Sequence, residues 1–492
     1  MSDFELHIEN VWTYIKSNRK EINPNLLRRI EEETSYTVEQ YSRFAKTKTV
    51  EIGISLFERE QLRYPTGLYS TIDNIFSSCG YDFDVIDHRD RPQVQPQQQF
   101  LRKLRDYQQE TVEKAIKAER GVIKIATGGG KTVIGAAIIA SLNLRTVFIV
   151  HSIDLLEQTA DEFEKMFGIE VGKIGGGFCE IKKINVCTVQ TLHSAFGIKY
   201  VCEEELFIKE KISKEVLERK EEIREVVENS EVVMVDEGHK LPAATYIQVM
   251  KLLQKAMFRF ILSATPYRDS SIDRVLDGYT GKLIINLNAS YLIERGFLVA
   301  PTIYILDPNE HQKYKFIRQT YKTVYDHWIV NNKDRNQMIV DCVMRLSDMD
   351  KSTLITVTRI THGENLCEML DKAGVKSFEF IRGEVDKVTR KRLLNDVREK
   401  KLKVLLGTSV TDEGVDIPAL DAAILAGGGR SLIKSLQRIG RTLRPYPNAE
   451  ENIKKEAIIV DFYDRVRYLT GHSTKRMKIY GLEPKFKLLK HF

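Results

Sequence analysis

Short apolar runs recur along this chain, separated by longer stretches with helical spacing of hydrophobic positions. Between Leu101 and about Leu287 the runs Val122–Ala126, Val147–Val150, Ile184–Thr188, Val232–Asp236 and Phe260–Ser263 read as strands. Near-continuous apolar strands of this kind suit a parallel sheet covered on both faces. A second set, from about Ala289 to Tyr468, has strands at Thr353–Val357, Phe378–Ile381, Val404–Gly407, Ala422–Leu425 and Ala457–Asp461. The two sets share an architecture without repeating a sequence. The charged run at 203–231 reads as a solvated helical excursion, and Tyr314, Ile317, Tyr321, Val324, Tyr325 and Trp328 as a helical stripe used for packing.

Ahead of these sets, Val50, Ile52, Ile54 and Leu56 alternate as a half-buried strand does, and Tyr64–Gly67 signals a turn. Leu68, Ile72, Ile75, Phe76 and Cys79 share one helix face closed by Gly80, and Phe83–Ile86 reads as a returning strand. The expected organisation is an α+β accessory domain over 1–90, a Pro/Gln-rich linker over 91–100, one α/β lobe over 101–287, a second over 288–470, and a basic tail over 471–492.

At 492 residues the chain exceeds one core and suggests roughly three domains. A net charge of +6 permits a nucleic-acid partner without demonstrating one. Lys16, Arg19, Lys20, Arg28, Arg29, Lys46 and Lys48 form either a DNA-facing side of the first domain or an ordinary solvated surface. The six cysteines show no C-x-x-C spacing and read as reduced thiols. No apolar run approaches the ~20 residues a bilayer requires, and the acidic N-terminus is no signal peptide. A cytoplasmic protein is expected, in the host cytoplasm if phage-encoded, with no membrane partner.

The chemistry concentrates in a few stretches. GVIKIATGGGKT (Gly121–Thr132) joins a strand to a helix through Thr127, Gly128, Gly129 and Gly130, so that backbone N–H groups can curl around phosphate oxygens. Lys131 can reach the terminal phosphates and Thr132 can hold Mg²⁺. Ile125 stands where the longer phosphate-loop pattern has glycine. VVMVDEGH (232–239) ends a strand in two carboxylates, Asp236 to hold Mg²⁺ and Glu237 to take a proton from attacking water. Gln108, in Leu104–Gln108, offers the donor and acceptor that an adenine edge demands. Arg438, Arg441 and Arg444 recur every three residues, on one side of a helix, and suit the charge that spreads in phosphoryl transfer.

The order LRDYQ, TGGGKT, VDEGH, SAT, GTSVTDEGVD and QRIGRTLR resembles the superfamily 2 helicases of the DExH type, over residues of about 101–470. The resemblance implies two tandem RecA-like lobes with ATP between them. It also implies nucleotide contacts by Arg105, Gln108, Thr127–Thr132, Gly414 and Asp416, with catalysis by Lys131, Asp236, Glu237, Gln437, Arg441 and Arg444. His239, Ser263 and Thr265 would couple hydrolysis to lobe movement. A nucleic-acid strand would meet His151, Ser152, Gly176, Thr188, Gln190 and Thr191 on the first lobe, and Arg359, Arg382, Gly383, Thr408, Ser409 and Thr411 on the second. Small and hydroxyl residues suit that contact because they bind phosphates without reading bases.

Within the superfamily the resemblance is to UvsW-type phage recombination helicases, then to the XPB and type III restriction groups. It implies an ATP- and Mg-dependent DNA helicase or translocase that remodels forks, D-loops, R-loops or junctions in recombination, repair or replication. Single-stranded and branched DNA are the expected partners. An RNA helicase, also able to take RNA–DNA hybrid, a duplex translocase that does not separate strands, and a static nucleotide clamp are the alternatives. Gly238 departs from the commoner DEAH or DECH.

Overall fold

A computed structural model describes residues 2–19, 21–41, 49–93, 95–197, 214–238, 243–264, 273–308, 320–382, 385–408, 420–428 and 456–492. The chain divides into two compact units. One holds residues 1–125 and 130–286, the other 287–492 with the segment 126–129.

The first unit opens with β1 (Phe4–Ile8), β2 (Trp12–Ser17), the hairpin β3 (Ser35–Tyr41) and β4 (Thr49–Ser55), then β5 (Arg63–Pro65) and β6 (Phe83–Asp87). β5-β2-β1-β6 form a four-stranded sheet covered by the helices Pro24–Thr34 and Tyr69–Ser78. The expected strands and helix are present, but Ile52 and Ile54 of β4 are exposed where a half-buried face was expected, and the N-terminal block is not a separate body. Its core, with Phe4, Tyr64, Leu68 and Phe76, is continuous with Val275, Leu276 and Tyr279 of the following lobe. Trp12 takes Arg63 and Lys251 over its ring, and Arg274 donates to the Ser35 carbonyl at 2.5 Å. The proposed DNA-facing cations are engaged locally, Lys16 with Glu5, Arg19 with Asp3 and Arg28 with Glu32, while Lys20, Lys46 and Lys48 lie outside the described residues. The described residues of 91–100 carry no helix or strand, yet Gln98 N–H donates to the Ala140 carbonyl and Asn143 to the Pro96 carbonyl. The expected linker is therefore a strap along the lobe.

The lobe itself contains β7 (Arg120–Ile125), β8 (Thr146–Val150), β9 (Gly172–Gly175), β10 (Phe178–Glu180), β11 (Ile184–Thr188), β12 (Val232–Asp236), β13 (Phe258–Ser263) and β14 (Leu283–Leu287), in the order β10-β9-β11-β8-β12-β13-β7-β14. From β9 through β7 every pairing is parallel. β8 and β11 are buried at every position, as strands covered on both faces must be. The charged excursion folds, over Lys214–Glu228, into a helix whose Ile223 and Val227 are buried.

The second unit contains β15 (Pro301–Leu306), β16 (Thr353–Thr356), β17 (Phe378–Ile381), β18 (Val404–Gly407), β19 (Ala422–Ile424), β20 (Ala457–Phe462) and β21 (Lys487–Leu489). Among the described residues they form one parallel sheet, β17-β18-β16-β19-β20-β15-β21. Of the aromatic stripe, Val324 and Tyr325 pack with Ile329, Val466 and Leu469; Tyr314 and Ile317 lie outside the described residues.

The expected tail is not a tail. Helix Leu469–Gly481 buries Leu469, Ser473, Arg476 and Tyr480, and β21 pairs with β15. Its charge misled because Arg476 is spent internally, against Asp461 at 2.8 Å.

His362, in helix Ile360–Lys372, is buried with Nε2 3.0 Å from Asn336 Oδ1. Burial, with the nearby Arg335 charge adding, pushes its pKa down to about 3. The unfolded chain binds this proton near pH 6.5, so it carries the extra proton between the two values. Stability is then complete above about pH 6.5 and falls as pH drops below it, by about 1.4 kcal/mol per unit. Urea midpoints taken from pH 7 to 4 should fall less steeply in His362→Gln; an identical slope would exclude this group.

Candidate functional site

β7 ends at Ile125, a buried strand residue, which explains the missing glycine of the longer phosphate-loop pattern. The loop 126–130 follows, turned by a bond from Gly129 N–H to the Ala126 carbonyl at 3.0 Å. Gly130 caps the helix Lys131–Leu142 at φ +85°, and a Cβ there would stand 2.5 Å from Gln108 Nε2. Glycine is thus favoured by its left-handed conformation, and a Cβ would also displace the Gln108 amide. The helix is apolar nearly all round and buried from Val133 to Ala140. A Cβ on its Gly135 would press Leu262 and Met234, so its N-terminus is set hard against β12 and β13. Backbone N–H groups and the helix dipole at such an end suit an anion.

Gln108 is buried in the first turn of the helix Asp106–Ala118, its Oε1 accepting the Arg105 N–H at 3.0 Å while Nε2 faces Gly130. It links the helix cap to the phosphate loop. Thr127 Oγ1 is buried and finds no hydrogen-bond partner among the described residues.

Lys131 Nζ lies 2.5 Å from Glu237 Oε1, both side chains 15% exposed. Glu237 stands just past β12 at φ +53°, a left-handed conformation costing a non-glycine residue about 1–3 kcal/mol, and its N–H donates to Asp236 Oδ1 at 2.9 Å. Burial raises the Asp236 carboxyl above the usual range, opposed by Lys131 and reinforced by the Glu237 charge. A site holding two carboxylates and one ammonium is short of positive charge, as a Mg²⁺ site is. The Thr132 hydroxyl and Asp236 carboxylate are hard oxygen donors that fit this ion, which when bound neutralises phosphate charge.

Gly238 is sterically dictated. A Cβ would come 1.9 Å from Ile261 Cγ2 on β13, so the alanine or cysteine expected at this position is excluded by a neighbour. Gly238→Ala should cut ATP turnover at least tenfold and cost about 1–3 kcal/mol through overpacking. Adding Ile261→Ala should restore turnover in a steady-state assay without restoring the melting temperature. Wild-type turnover in the single variant would show that β13 gives way freely.

Ser263 is fully buried at the end of β13; His239 and Thr265 lie outside the described residues. The strand residues expected on nucleic acid gather at the other half of the same sheet edge. Ser152 caps the helix Ile153–Phe167 after β8, Gly176 follows β9, and Thr188 ends β11 with Oγ1 2.8 Å from Thr191 Oγ1. Gln190 donates to the His151 carbonyl at 3.4 Å. The His151 side chain lies near enough to Asp236 to favour its ionised form, because β8 and β12 are neighbours. The linear motifs do not reveal that proximity. Along the carboxyl edge, β9-β11-β8 therefore carry the candidate strand contacts and β12-β13-β7 the nucleotide contacts, at the edge where open α/β sheets bind ligands.

In the second unit Arg359, Arg382 and Thr408 lie just past the neighbouring strands β16, β17 and β18. Arg359 is ion-paired with Asp326, and Arg382 with Glu364 at 3.0 Å. Gly383, Ser409, Thr411, Gly414, Asp416, Gln437, Arg438, Arg441 and Arg444 lie outside the described residues.

A phosphate loop, an acidic strand end and a parallel sheet, followed by a second parallel sheet, define a phosphate-loop protein with two α/β lobes. Residues 101–268 match the family model "Type III restriction enzyme, res subunit" and 334–446 match "Helicase conserved C-terminal domain", together more than half the chain. The "Putative helicase 22" of Sulfolobus islandicus filamentous virus is 27% identical, over 73% of this chain and 63% of its own length. The "DNA 3'-5' translocase XPB2" of Sulfurisphaera tokodaii is 27% identical over 73% of this chain and 81% of its own. "ATP-dependent DNA helicase uvsW" of Enterobacteria phage T4 is 24% identical over 77% of this chain and 75% of its own. The chain thus spans less than two thirds of the viral relative. A type I restriction HsdR fragment from Vibrio vulnificus superimposes with a TM-score of 0.57 at 16% identity, covering 80% of this chain and 69% of that one. Dbp5 of S. cerevisiae bound to RNA and ADP BeF3 superimposes at 0.53 and 15% identity, covering 79% and 90%. The fold is that of tandem RecA-like helicase lobes. The chain belongs to the superfamily 2 helicases, in the group related to the XPB, UvsW and type III restriction proteins.

Proposed function

We propose that this protein is an ATP- and Mg-dependent DNA helicase or translocase that remodels branched DNA. One observation carries the reading: a single sheet edge holds the Lys131–Glu237 nucleotide half beside the Thr188–Thr191 half, adjoining where β8 meets β12. Closure of the nucleotide half on ATP then alters the neighbouring strand contacts, and differential affinity between the two states drives stepping. Lys131 and Asp236 organise the phosphates, Glu237 takes the water proton, and, by the resemblance, Gln437, Arg441 and Arg444 act on the γ-phosphate while Gly414 and Asp416 contact the nucleotide. His239, Ser263 and Thr265 transmit the change. The preference for DNA is supported by the names of the XPB2 and uvsW relatives.

The test compares ATP turnover with forks, four-way junctions, single-stranded DNA and RNA, together with release of a labelled fork strand. Stimulation by branched DNA with strand release is expected. Stimulation by RNA alone would overturn the DNA reading, and triplex displacement without strand release would make the protein a duplex translocase.

A further inference from the structure

The helix Lys214–Glu228 was expected to be a solvated insertion, yet it packs beside the helix Val189–Ala195, with Arg224 Nε donating to the Ala195 carbonyl at 2.8 Å. Between this helix, the β9–β10 hairpin and the start of helix Val189–Ala195 runs an open groove of about 340 Å³. Gln190 and Thr191, candidate strand contacts, form one wall; Phe178, Arg219 and Lys220 form the others.

The helix sorts its charges. At about 100° per residue, Val216, Arg219, Lys220 and Ile223 fall in one sector about 100° wide and line the groove. Every glutamate of the helix falls outside that sector, and Glu222 and Glu225 line a separate cavity with Arg145, Lys182 and Lys183. Arg219 and Lys220 make no ion pair with a described carboxylate, whereas Lys214 pairs with Glu218 and Arg224 with Glu221. Phe178 is 39% exposed at the hairpin tip, a large apolar ring beside two cations that pair with no described carboxylate. Cations following a backbone, with an aromatic face for a base, are how single strands are held without sequence preference.

We infer that this groove extends the DNA track, Arg219 and Lys220 holding phosphates beyond Gln190 and Thr191 while Phe178 stacks a base. The inference rests on the DNA-motor reading and adds contacts that the helicase motifs do not include. Because both cations lie outside the nucleotide half, they set affinity for the strand and leave the chemistry untouched.

Affinity of the full chain for a fluorescent oligo-dT strand, titrated across salt concentrations, tests this. Arg219→Ala/Lys220→Ala should weaken binding about tenfold and reduce the salt slope by about 1.4, two contacts at about 0.7 each. ATP turnover without DNA and at saturating DNA should stay at wild-type values, with only the half-saturating DNA concentration raised. Phe178→Ala should weaken binding by roughly 5- to 150-fold without changing the slope. Wild-type affinity and slope in the double variant, with binding lost in Thr188→Ala/Thr191→Ala, would overturn the groove and leave the motor standing. If the unmodified chain binds no DNA, both readings fall. Phe178, Arg219 and Lys220 are partly or fully exposed, so a melting temperature equal to wild type is the expected control for their alanine variants.

Discussion

Glu237→Gln should lower ATP turnover by roughly 10²–10⁴-fold, the usual contribution of a positioned general base, while a fluorescent ATP analogue still binds. Lys131→Met should abolish both binding and turnover. The ion pair adds a further consequence. Asp236 and Glu237 adjoin in a half-buried site, and Lys131 is the ammonium that offsets them, 2.5 Å from Glu237. Without it, two carboxylates face each other and Asp236 titrates still higher. Lys131→Met should therefore lower the melting temperature of the nucleotide-free protein. Lys131→Met/Glu237→Gln should recover much of that loss but no turnover. Such non-additivity is expected for groups in direct contact. If neither Lys131→Met nor Glu237→Gln lowers ATP turnover, this site is not where ATP is hydrolysed and the motor reading fails.

The second large effect belongs to the C-terminal helix. Arg476 is buried, its Nε donating to Asp461 Oδ2 at 2.8 Å and its Nη2 to the Phe462 carbonyl at 2.7 Å; Tyr480 Oη donates to the same carboxylate at 2.8 Å. Arg476→Leu strands a buried carboxylate at the end of a core strand, and breaking such a pair costs about 3–5 kcal/mol. Arg476→Leu/Asp461→Asn should recover part of the loss, because the charge left behind is the main cost. Chemical denaturation monitored by fluorescence measures both. A chain ending at Tyr468 should aggregate, since it also uncovers the edge of β15. A soluble truncated chain with a wild-type unfolding midpoint would show that the segment is the tail its composition suggests.

Legibility followed range. Interior strands such as β8 and β12 could be read within a residue or so, because strands covered on both faces need an unbroken apolar run. The phosphate loop and the acidic strand end were legible because each works through consecutive residues. Of the edge strands, β6 and β17 were legible, whereas β10, β14 and β21 are short and partly exposed, so their patterns carry little signal. The N-terminal boundary failed because a core shared between distant segments leaves no trace in either one alone. The charge of helix Leu469–Gly481 misled for a related reason, since a buried ion pair and a solvated cation have the same letter.

By itself the amino-acid sequence determined the two parallel α/β lobes, the phosphate loop with Lys131 and Thr132, and the carboxylates Asp236 and Glu237. These follow from local periodicity and from chemistry carried by neighbours in the chain. Only the tertiary structure decided that Lys131 meets Glu237, that Ile261 reserves the place of Gly238 for glycine, that His151 stands by Asp236, and that the last residues complete a sheet. Each of these depends on which strands lie side by side, and strand order is set by the burial of whole faces rather than by any one stretch.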